Sequence, residues 1–351
     1  MELRRHEPQH LRRNAPEHHA TQLRRHGAER RPELRRRDAA ARSFAEWATP
    51  RAALLAIAAG YGTNFAAGAF LNAAAPAAAA TSARFLVAAA ALSPHLARLP
   101  RELAGPVLLC GACDALGYVA QSVALVDTPP ATVSLLGALT VVVAPALAFA
   151  VDGERPGAGA AVAAALTLGG VFLLERVDGG FAPGDGFAVL QAVGFGASFY
   201  VARRTMADNA DAALAVTAGQ CSVTALLSAL WALGDGAALG PFAAAPTAGW
   251  LLDGASDFSL PGLLLRGGPV AGAVLWTGLV TTALVRFGEN SALAKVPVGE
   301  ATVLVGSEPL WAALWAAALF GTIPDAHQCA GGVLILAACV VSARPPREDG
   351  A

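Results

Sequence analysis

VGEATVLVGSEPLWAALWAAALFG, residues 298–321, is an almost wholly apolar stretch that is long enough to cross a lipid bilayer as a helix. A helix needs about 20 apolar residues to span the ~30 Å hydrocarbon layer, so the stretch predicts a transmembrane segment. It nevertheless carries Glu300 near its start and Glu308 close to its middle, directly before Pro309. A carboxyl group followed by a proline is unusual at that depth, and its meaning depends on the rest of the chain.

The composition of the chain indicates that this segment is one of many. The 351 residues are 55% hydrophobic and 15% charged, with a mean hydropathy of +0.50. Soluble domains carry about 25% charged residues. Thirteen of the 25 basic residues lie within residues 1–51, so the formal net charge of −1 averages a basic N-terminus and a mildly acidic body. Such a chain is typical of a multi-span membrane protein.

Residues 1–50 form a separate, Arg-rich region. The tripeptide LRR occurs four times there, among His, Glu and Pro, and apolar residues are too few for a core. We therefore expect a disordered N-terminal tail. Three roles stay open: a solvated tail, an organelle-targeting segment, or a polybasic segment that binds anionic lipid. Its histidines lack regular ligand spacing, so we expect no metal site.

The body divides into ten apolar runs of membrane-spanning length, separated by Gly, Pro, Asp and Arg. A long Gly/Pro/Ala-rich loop over residues 235–267 separates the seventh run from the eighth. The ten predicted spans are 52–72, 76–93, 104–125, 131–151, 157–174, 185–203, 212–233, 268–287, 298–320 and 328–343.

The basic residues of the body favour an even number of spans with both chain ends on the inner side. Inner loops are expected to hold most Arg and Lys. The outer loops of this assignment hold only Arg176 and Arg266. The inner loops and the C-terminus hold Arg98, Arg101, Arg155, Arg203, Arg204, Arg286, Lys295, Arg344 and Arg347.

Two short peptides repeat along the body in the same order. GYGTNF at 60–65 reappears as GFGASF at 194–199, and ATVSLLGAL at 131–139 is echoed by ATVLVGSEP at 301–309. Each pair is five predicted helices apart. Because five is odd, the second copy enters the membrane upside down. Inverted repeats of this kind are typical of secondary transporters, which bind substrate near the midplane.

Several motifs of the body occur in a characteristic order. They are ATSARFLVAAAAL, CDALGYVAQSVAL, a first-half stretch that includes a GERP turn, and SEPLWAALWAAALFG followed by GGVLILAACVV. In this order they resemble the second, third and closing helices of the EamA branch of the drug/metabolite transporter superfamily, with Arg84 at the family's usual arginine position. One departure is Thr322, where the family usually keeps a glutamate; the first-half acid, Glu154, is present.

The repeats and the resemblance together imply an all-α integral membrane protein of ten transmembrane helices, arranged as two inverted five-helix repeats. We expect these repeats at 51–175 and 185–343, followed by a C-terminal tail at 344–351. ALVRFGENSAL and GEATVLVGSEPLW are closest to the plastid-associated members of plants and algae. The resemblance therefore suggests a plastid or other organelle membrane, with the plasma membrane as the alternative.

Polar side chains form stripes on several apolar helices, and such faces avoid lipid. Asp114, Tyr118 and Gln121 share one face of the third helix. Similar stripes in the first and seventh helices leave two interpretations open, lining of an aqueous cavity or contact between helices. The candidate substrate pathway comprises Asn64, Asp114, Tyr118, Gln121, Gln220, Thr224, Glu308 and Trp311.

Charged groups at membrane depth need partners or a function. Arg84 and Asp114 lie on consecutive helices and are candidates for a buried ion pair; the alternative is a substrate role for Arg84. For Glu300 we expect a local pair with Lys295; the alternative is a place in the substrate pathway. Pro removes a helix hydrogen bond, so the Glu308–Pro309 pair indicates either a broken helix at the substrate pathway or a structural kink.

These observations predict a secondary transporter of a small organic metabolite. The sequence lacks HExxH, GxSxG and P-loop motifs, so we expect neither an enzyme nor a cofactor. The body holds few intramembrane cations, which favours a neutral, zwitterionic or cationic substrate over a phosphorylated one. We expect contact with membrane lipid and none with nucleic acid, and a homodimer stays open. The alternative is a multi-span, receptor-like binding protein without net flux.

Overall fold

The computed structural model describes residues 45–64, 67–68, 70–72, 74–126, 128, 130–175, 182–239, 249–252, 268–321 and 323–343. The chain divides into two units, Met1–Thr49 and Pro50–Ala351. In the first unit the described residues, 45–49, are helical. Some of the sequence-based predictions concern positions outside the described residues. These positions are 1–44, most of the 235–267 loop, Arg176, Arg266, Thr322 and 344–351.

The second unit is built of helices, and no β-strand occurs in the described part of the chain. We number its helical segments α1 to α10. They are α1 (50–64), α2 (Ala77–Leu92), α3 (Ala104–Ala124), α4 (Pro130–Asp152), α5 (Ala158–Glu175), α6 (Gly184–Ala207), α7 (Ala213–Gly236), α8 (Gly268–Leu293), α9 (Val298–Phe320) and α10 (Ala326–Ser342).

Eight of these helices, α2 to α9, are long and apolar enough to cross a membrane when the adjoining 3₁₀ turns of α2, α3 and α7 are included; this count covers the described residues only. The tenth, α10, is apolar but has 17 residues. The first, α1, adjoins positions that the structure does not describe. The protein is therefore a multi-pass membrane protein, and the count of ten spans stays a prediction, as do the predicted repeat boundaries.

Two helices are interrupted in the middle. The α9 helix consists of Val298–Val305 and Glu308–Phe320, joined by a turn at residues 306–307. The α4 helix has a similar turn at residues 138–139. Pro309 lies in the first turn of the new segment, where the missing N–H costs nothing. The helix break that the sequence indicated at the Glu308–Pro309 pair is therefore present. Its turn, at residues 306–307, lies immediately before Glu308.

The helices of the first half interleave with those of the second. Helix α3 packs against α6 and α7, α2 against α7, and α5 against α10. Small residues allow these close crossings: a Cβ added to Gly194 would lie 2.6 Å from the backbone nitrogen of Gly117. Large apolar side chains such as Leu226 and Val333 are more than half exposed, as expected for surfaces that face lipid.

Candidate functional site

A cavity of about 490 Å³ lies between helices of the first half and helices of the second. It is within the usual volume range of small-molecule binding sites, roughly 300–1,000 Å³. The turns of both interrupted helices border it. Its polar lining residues are Tyr61, Asn64, Asn72, Thr81, Arg84, Tyr118, Gln121, Ser122, Ser134, Thr140, Gln191, Thr277, Arg286, Glu289, Thr302 and Glu308.

Four of the eight predicted pathway residues line this cavity: Asn64, Tyr118, Gln121 and Glu308. Asn64 accepts a hydrogen bond from the hydroxyl of Thr281 on α8. Tyr118 packs edge-to-face against Phe85 and Phe195, with ring centroids 4.7 and 4.8 Å away. These contacts hold aromatic and amide groups from both halves at the cavity wall. Whether the four residues contact a substrate stays a prediction.

The other four predicted pathway residues, Asp114, Gln220, Thr224 and Trp311, are not part of the cavity lining. The hydroxyl of Thr224 donates to the backbone oxygen of Gly111, 3.1 Å away, so it joins α7 to α3. The indole nitrogen of Trp311 donates to Ser307 Oγ over 3.2 Å, across the turn in α9. The Thr224 contact therefore holds two packed helices together, and the Trp311 contact spans the turn that interrupts α9.

An ion cluster that the sequence analysis missed lies beside the cavity. Arg286 Nη1 is 2.6 Å from Glu289 Oε1, and Arg286 Nη2 is 2.7 Å from Asp114 Oδ1. Arg286, Glu289 and Asp114 are 6%, 0% and 2% exposed. A buried charge is costly unless it is paired and hydrogen-bonded, and here one guanidinium serves two carboxylates.

Further hydrogen bonds extend the cluster in both directions. Tyr61 of α1 donates to Glu289 Oε2 over 2.9 Å, and Ser198 of α6 donates to Asp114 Oδ1 over 2.6 Å. On the far side, Asn290 donates to Gln220 of α7 over 2.7 Å. Gln220 in turn donates to Cys110 Sγ over 2.9 Å, and this sulfur lies 3.3 Å from Ser198 Oγ. The polar groups of α1, α3, α6, α7 and α8 thus form one buried system that joins the two halves of the bundle.

Two predictions about these charges are wrong. Asp114 pairs with Arg286 and not with Arg84, and Arg286 lies inside α8 and not in an inner loop. The predicted span ended at residue 287 because the polar stretch that follows resembles a loop, whereas the helix continues to Leu293. The signal that was available is the spacing of Arg286 and Glu289, three apart, which places opposite charges on one helix face.

Arg84 lies at the cavity wall with a different set of partners. Its Nε donates to Thr282 Oγ1 over 2.7 Å. Its guanidinium carbon is 4.9 Å from the ring centroid of Tyr118 and 5.3 Å from that of Phe85. Its Nη2 is enclosed and has no hydrogen-bond partner among the described residues. A hydroxyl and two ring faces orient this cation, but they do not neutralise it.

Glu308 lines the cavity from the first turn of the second α9 segment. Arg84 and Glu289 are near enough for their charges to act on it. Within the described ranges, its carboxyl has neither an ion pair within 4 Å nor a side-chain hydrogen bond. Among the described residues, Arg84 and Glu308 are therefore the basic and the acidic side chain of the cavity lining that have no ion pair.

Glu300 has a different partner from the one predicted. Arg51 donates to it with two nitrogens, Nε over 2.6 Å and Nη2 over 2.9 Å, so the expected pair with Lys295 is wrong. This bidentate pair joins the start of α1 to the start of α9. At the start of α6, Asp185 accepts hydrogen bonds from Thr128 Oγ1 over 3.2 Å and from the backbone nitrogen of Ala182 over 3.0 Å.

Metal chemistry finds no support in the described part of the chain, where no group of three or more His, Cys, Asp or Glu residues is placed to hold an ion. What the arrangement offers is a partly open cavity of mixed apolar and polar lining, at which Arg84 and Glu308 have no ion pair among the described residues. It suits the reversible binding of a small polar molecule.

Comparisons with known proteins agree with this architecture. A family model described as the EamA-like transporter family matches residues 51–176 and 182–344. A solved crystal structure is similar with a TM-score of 0.64 and 20% sequence identity, over 84% of this chain and 97% of that chain. At that identity the likeness shows a shared fold. No curated protein sequence matches the chain.

Proposed function

Because the chain belongs to the EamA-like transporter family, as its sequence indicated, we propose that it moves a small organic metabolite across a membrane as a secondary transporter. EamA proteins are membrane transporters of the drug/metabolite type and not enzymes. The observation that carries the proposal is the cavity of about 490 Å³, which both family-matched regions line with polar side chains.

The mechanism we propose is alternating access between two inverted five-helix repeats. The turns that interrupt α4 and α9 both border the cavity, and such discontinuous helices supply backbone polar groups to a substrate at membrane depth. The buried ion cluster gives the halves a common contact about which they rock. Single-cysteine labelling tests the topology: sites beside Arg155 and Arg203 are expected on one face, and sites beside Asp127 and Asp253, outside the described residues, on the other.

The charges at the cavity favour a neutral, zwitterionic or cationic solute. With all groups ionised, Arg84 and Arg286 contribute +2, and Asp114, Glu289 and Glu308 contribute −3, so the sum is −1. Arg286 is already neutralised by its two carboxylates. A phosphate ester carries two negative charges and needs several free cations, which this site does not offer.

Glu308 is the residue that we assign to transport. Its carboxyl lies at the cavity beside a helix break and has no counter-ion within the described ranges. It accepts a proton, or the cationic part of the solute, in one state of the cycle and releases it in the other. Solute and charge are then exchanged within the same cycle.

The membrane in which this takes place is that of a plastid or another organelle, with the plasma membrane as the alternative. Fluorescence imaging of the tagged full-length protein and of a protein lacking residues 1–45 tests the role of the tail. Loss of organelle location only in the shortened protein supports targeting.

Uptake into vesicles is the decisive experiment. The purified full-length protein is reconstituted into proteoliposomes and exposed to a mixture of sugars, amines, amino acids and phosphate esters, and the vesicle contents are measured by mass spectrometry. We expect selective entry of at least one uncharged, zwitterionic or cationic solute. Binding of a solute without entry would indicate the receptor-like alternative and contradict the proposal.

A further inference from the structure

The turn that interrupts α9 leaves two backbone oxygens without a hydrogen bond. In an unbroken helix the carbonyl of Val305 accepts from the backbone nitrogen four residues later, but that residue is Pro309, which has no N–H. The carbonyl of Gly306 loses its donor as well, because the nitrogen of Leu310 donates to the oxygen of Ser307 over 3.0 Å. Among the described residues, no other donor reaches either oxygen.

Both carbonyls belong to residues at the cavity, next to two side chains that carry oxygen. Val305 and Gly306 line the cavity, as do Thr302 and Glu308 on either side of them. The hydroxyl of Thr302 donates its hydrogen to the oxygen of Gly299 over 3.2 Å, so its own oxygen can still accept. In the described part of the chain, Glu308 has neither an ion pair nor a side-chain hydrogen bond. The break therefore brings oxygen acceptors from four residues to one cavity.

The first segment of α9 adds to the negative potential at its end. Val298–Val305 is an eight-residue helix, and its aligned peptide dipoles place a partial negative charge at the C-terminus, where the break begins. Backbone acceptors without a donor are costly at membrane depth, because lipid tails have none to offer. A cation satisfies carbonyls, a hydroxyl and a carboxylate together, as it does at the ends of discontinuous helices in other transporters.

The ionisable groups at and beside the cavity determine the charge of this cation. With all of them ionised, Arg84 and Arg286 contribute +2, and Asp114, Glu289 and Glu308 contribute −3, so the sum is −1. One monovalent cation brings the sum to zero. A divalent ion would leave a surplus of +1 near Arg84, which is close enough for its charge to act on Glu308.

We propose that the break in α9 binds a monovalent alkali cation such as sodium. Its ligands are the carbonyls of Val305 and Gly306, the hydroxyl of Thr302 and the carboxylate of Glu308. Hard cations are held by oxygen atoms, and backbone carbonyls serve as well as carboxylates, so the site needs no cluster of His, Cys, Asp or Glu. That the ion moves together with the solute is the part that rests on the proposed transport function.

Thermal unfolding of the purified full-length protein measures the ion without any solute. Sodium chloride is increased at fixed pH, and choline chloride keeps the ionic strength constant; potassium chloride replaces sodium chloride in a second series. We expect the unfolding temperature to rise with the alkali salt and to reach a plateau, because a ligand that binds the folded state stabilises it. The salt concentration at half the rise reports the affinity. If neither alkali salt raises the unfolding temperature above that in choline chloride, the proposal is wrong.

Two variants assign the ion to the break. Glu308→Gln removes the negative charge and is expected to abolish the sodium-dependent rise. Pro309→Ala supplies an N–H to the carbonyl of Val305, so it withdraws one ligand and is expected to weaken the sodium affinity about tenfold. Glu102→Gln and Pro106→Ala are the matched controls, at exposed positions outside the cavity lining. If either variant of the break responds to sodium like wild type, the proposed set of ligands is wrong.

Thr302→Val carries the comparison if one of these variants does not fold. Valine has nearly the shape of threonine and lacks the hydroxyl oxygen, so the sodium affinity is expected to fall severalfold. An unchanged affinity in Thr302→Val contradicts the site.

Uptake experiments separate the ion site from the transport function. Proteoliposomes receive the solute found by the uptake screen, with an inward sodium gradient or with equal sodium on both sides. Faster uptake under the gradient supports coupling to the ion. Uptake that ignores the gradient, in a protein that sodium stabilises, keeps the site and excludes coupling; without that stabilisation the site is wrong while transport stands. Stabilisation by sodium without entry of any solute supports the site and contradicts transport.

Discussion

Helices α1 and α6 begin with opposite charges at corresponding places. Arg51 precedes the repeated hexapeptide at Gly60 by nine residues (60 − 51), and Asp185 precedes its counterpart at Gly194 by nine (194 − 185). Arg51 forms a bidentate ion pair with Glu300 at the start of α9. Asp185 accepts a hydrogen bond from the neutral hydroxyl of Thr128, just before α4.

The difference between these two contacts indicates that the two repeats are not equivalent in energy. A bidentate bond between two ions is stronger than one hydrogen bond from a neutral hydroxyl. In the proposed inverted arrangement the two contacts lie on opposite faces of the membrane. The state in which α1 and α9 are closed together is therefore expected to be the more populated one.

The largest loss of stability is expected from a change in the buried ion cluster, which joins the two repeats. Arg286→Ala leaves Asp114 and Glu289 buried without their cation, and removal of one partner of such a group costs about 3–5 kcal/mol. Thermal unfolding in detergent is the measurement, with Arg98→Ala as the control. Combining Arg286→Ala with Asp114→Asn should cost less than the sum of the two single changes. Strict additivity would show that the two residues are independent.

The next effect concerns a second difference between the repeats. Aligning ATVSLLGAL with ATVLVGSEP places Glu308 opposite Ala138, so only the second repeat has an acid at its helix break. Glu308→Gln keeps the size and hydrogen bonding of the side chain and removes titration. We expect normal stability and loss of concentrative or pH-dependent uptake. Uptake like wild type between pH 5.5 and 8 would make the residue structural, and Glu102→Gln, at an exposed carboxylate outside the cavity lining, serves as the control.

A smaller effect is expected from the ion pair. Arg51→Gln leaves Glu300, whose side chain is 10% exposed, without its bidentate partner, at a cost of about 1–3 kcal/mol. Opening of α1 from α9 should increase the rate at which a cysteine introduced at Asn64 reacts with a membrane-impermeant maleimide. The exchanged pair Arg51→Glu with Glu300→Arg should restore the slow rate. Failure of the exchange to restore it would show that the pair does not control access.

The smallest change in labelling rate is expected from the hydrogen bond between Thr128 and Asp185. Thr128→Val removes one hydrogen bond to Asp185, worth about 1 kcal/mol, and the backbone nitrogen of Ala182 still donates to that carboxylate. The same labelling experiment should detect less than half the change seen with Arg51→Gln. An equal or larger change would contradict the energetic difference between the two contacts.

The sequence predicted the helices better than the ion pairs because the two depend on different ranges of the chain. Apolar runs and their lengths are local, and they predicted α2 to α9. The partners of Asp114 and Glu300 lie 172 and 249 residues away, so only the fold decides between Arg84 and Arg286, or between Lys295 and Arg51. Glu308 was found from sequence because a carboxyl beside a proline is conspicuous in an apolar run.

The glycine crossings limit how the two repeats can vary from one protein to another. A Cβ on Gly331 would lie 2.5 Å from the backbone oxygen of Gly170, and a Cβ on Gly194 would lie 2.6 Å from the backbone nitrogen of Gly117. Neither crossing has space for a methyl group. A hybrid chain that joins the first repeat of this protein to the second repeat of a relative is therefore expected to assemble only if the relative also has glycine at the positions of Gly194 and Gly331.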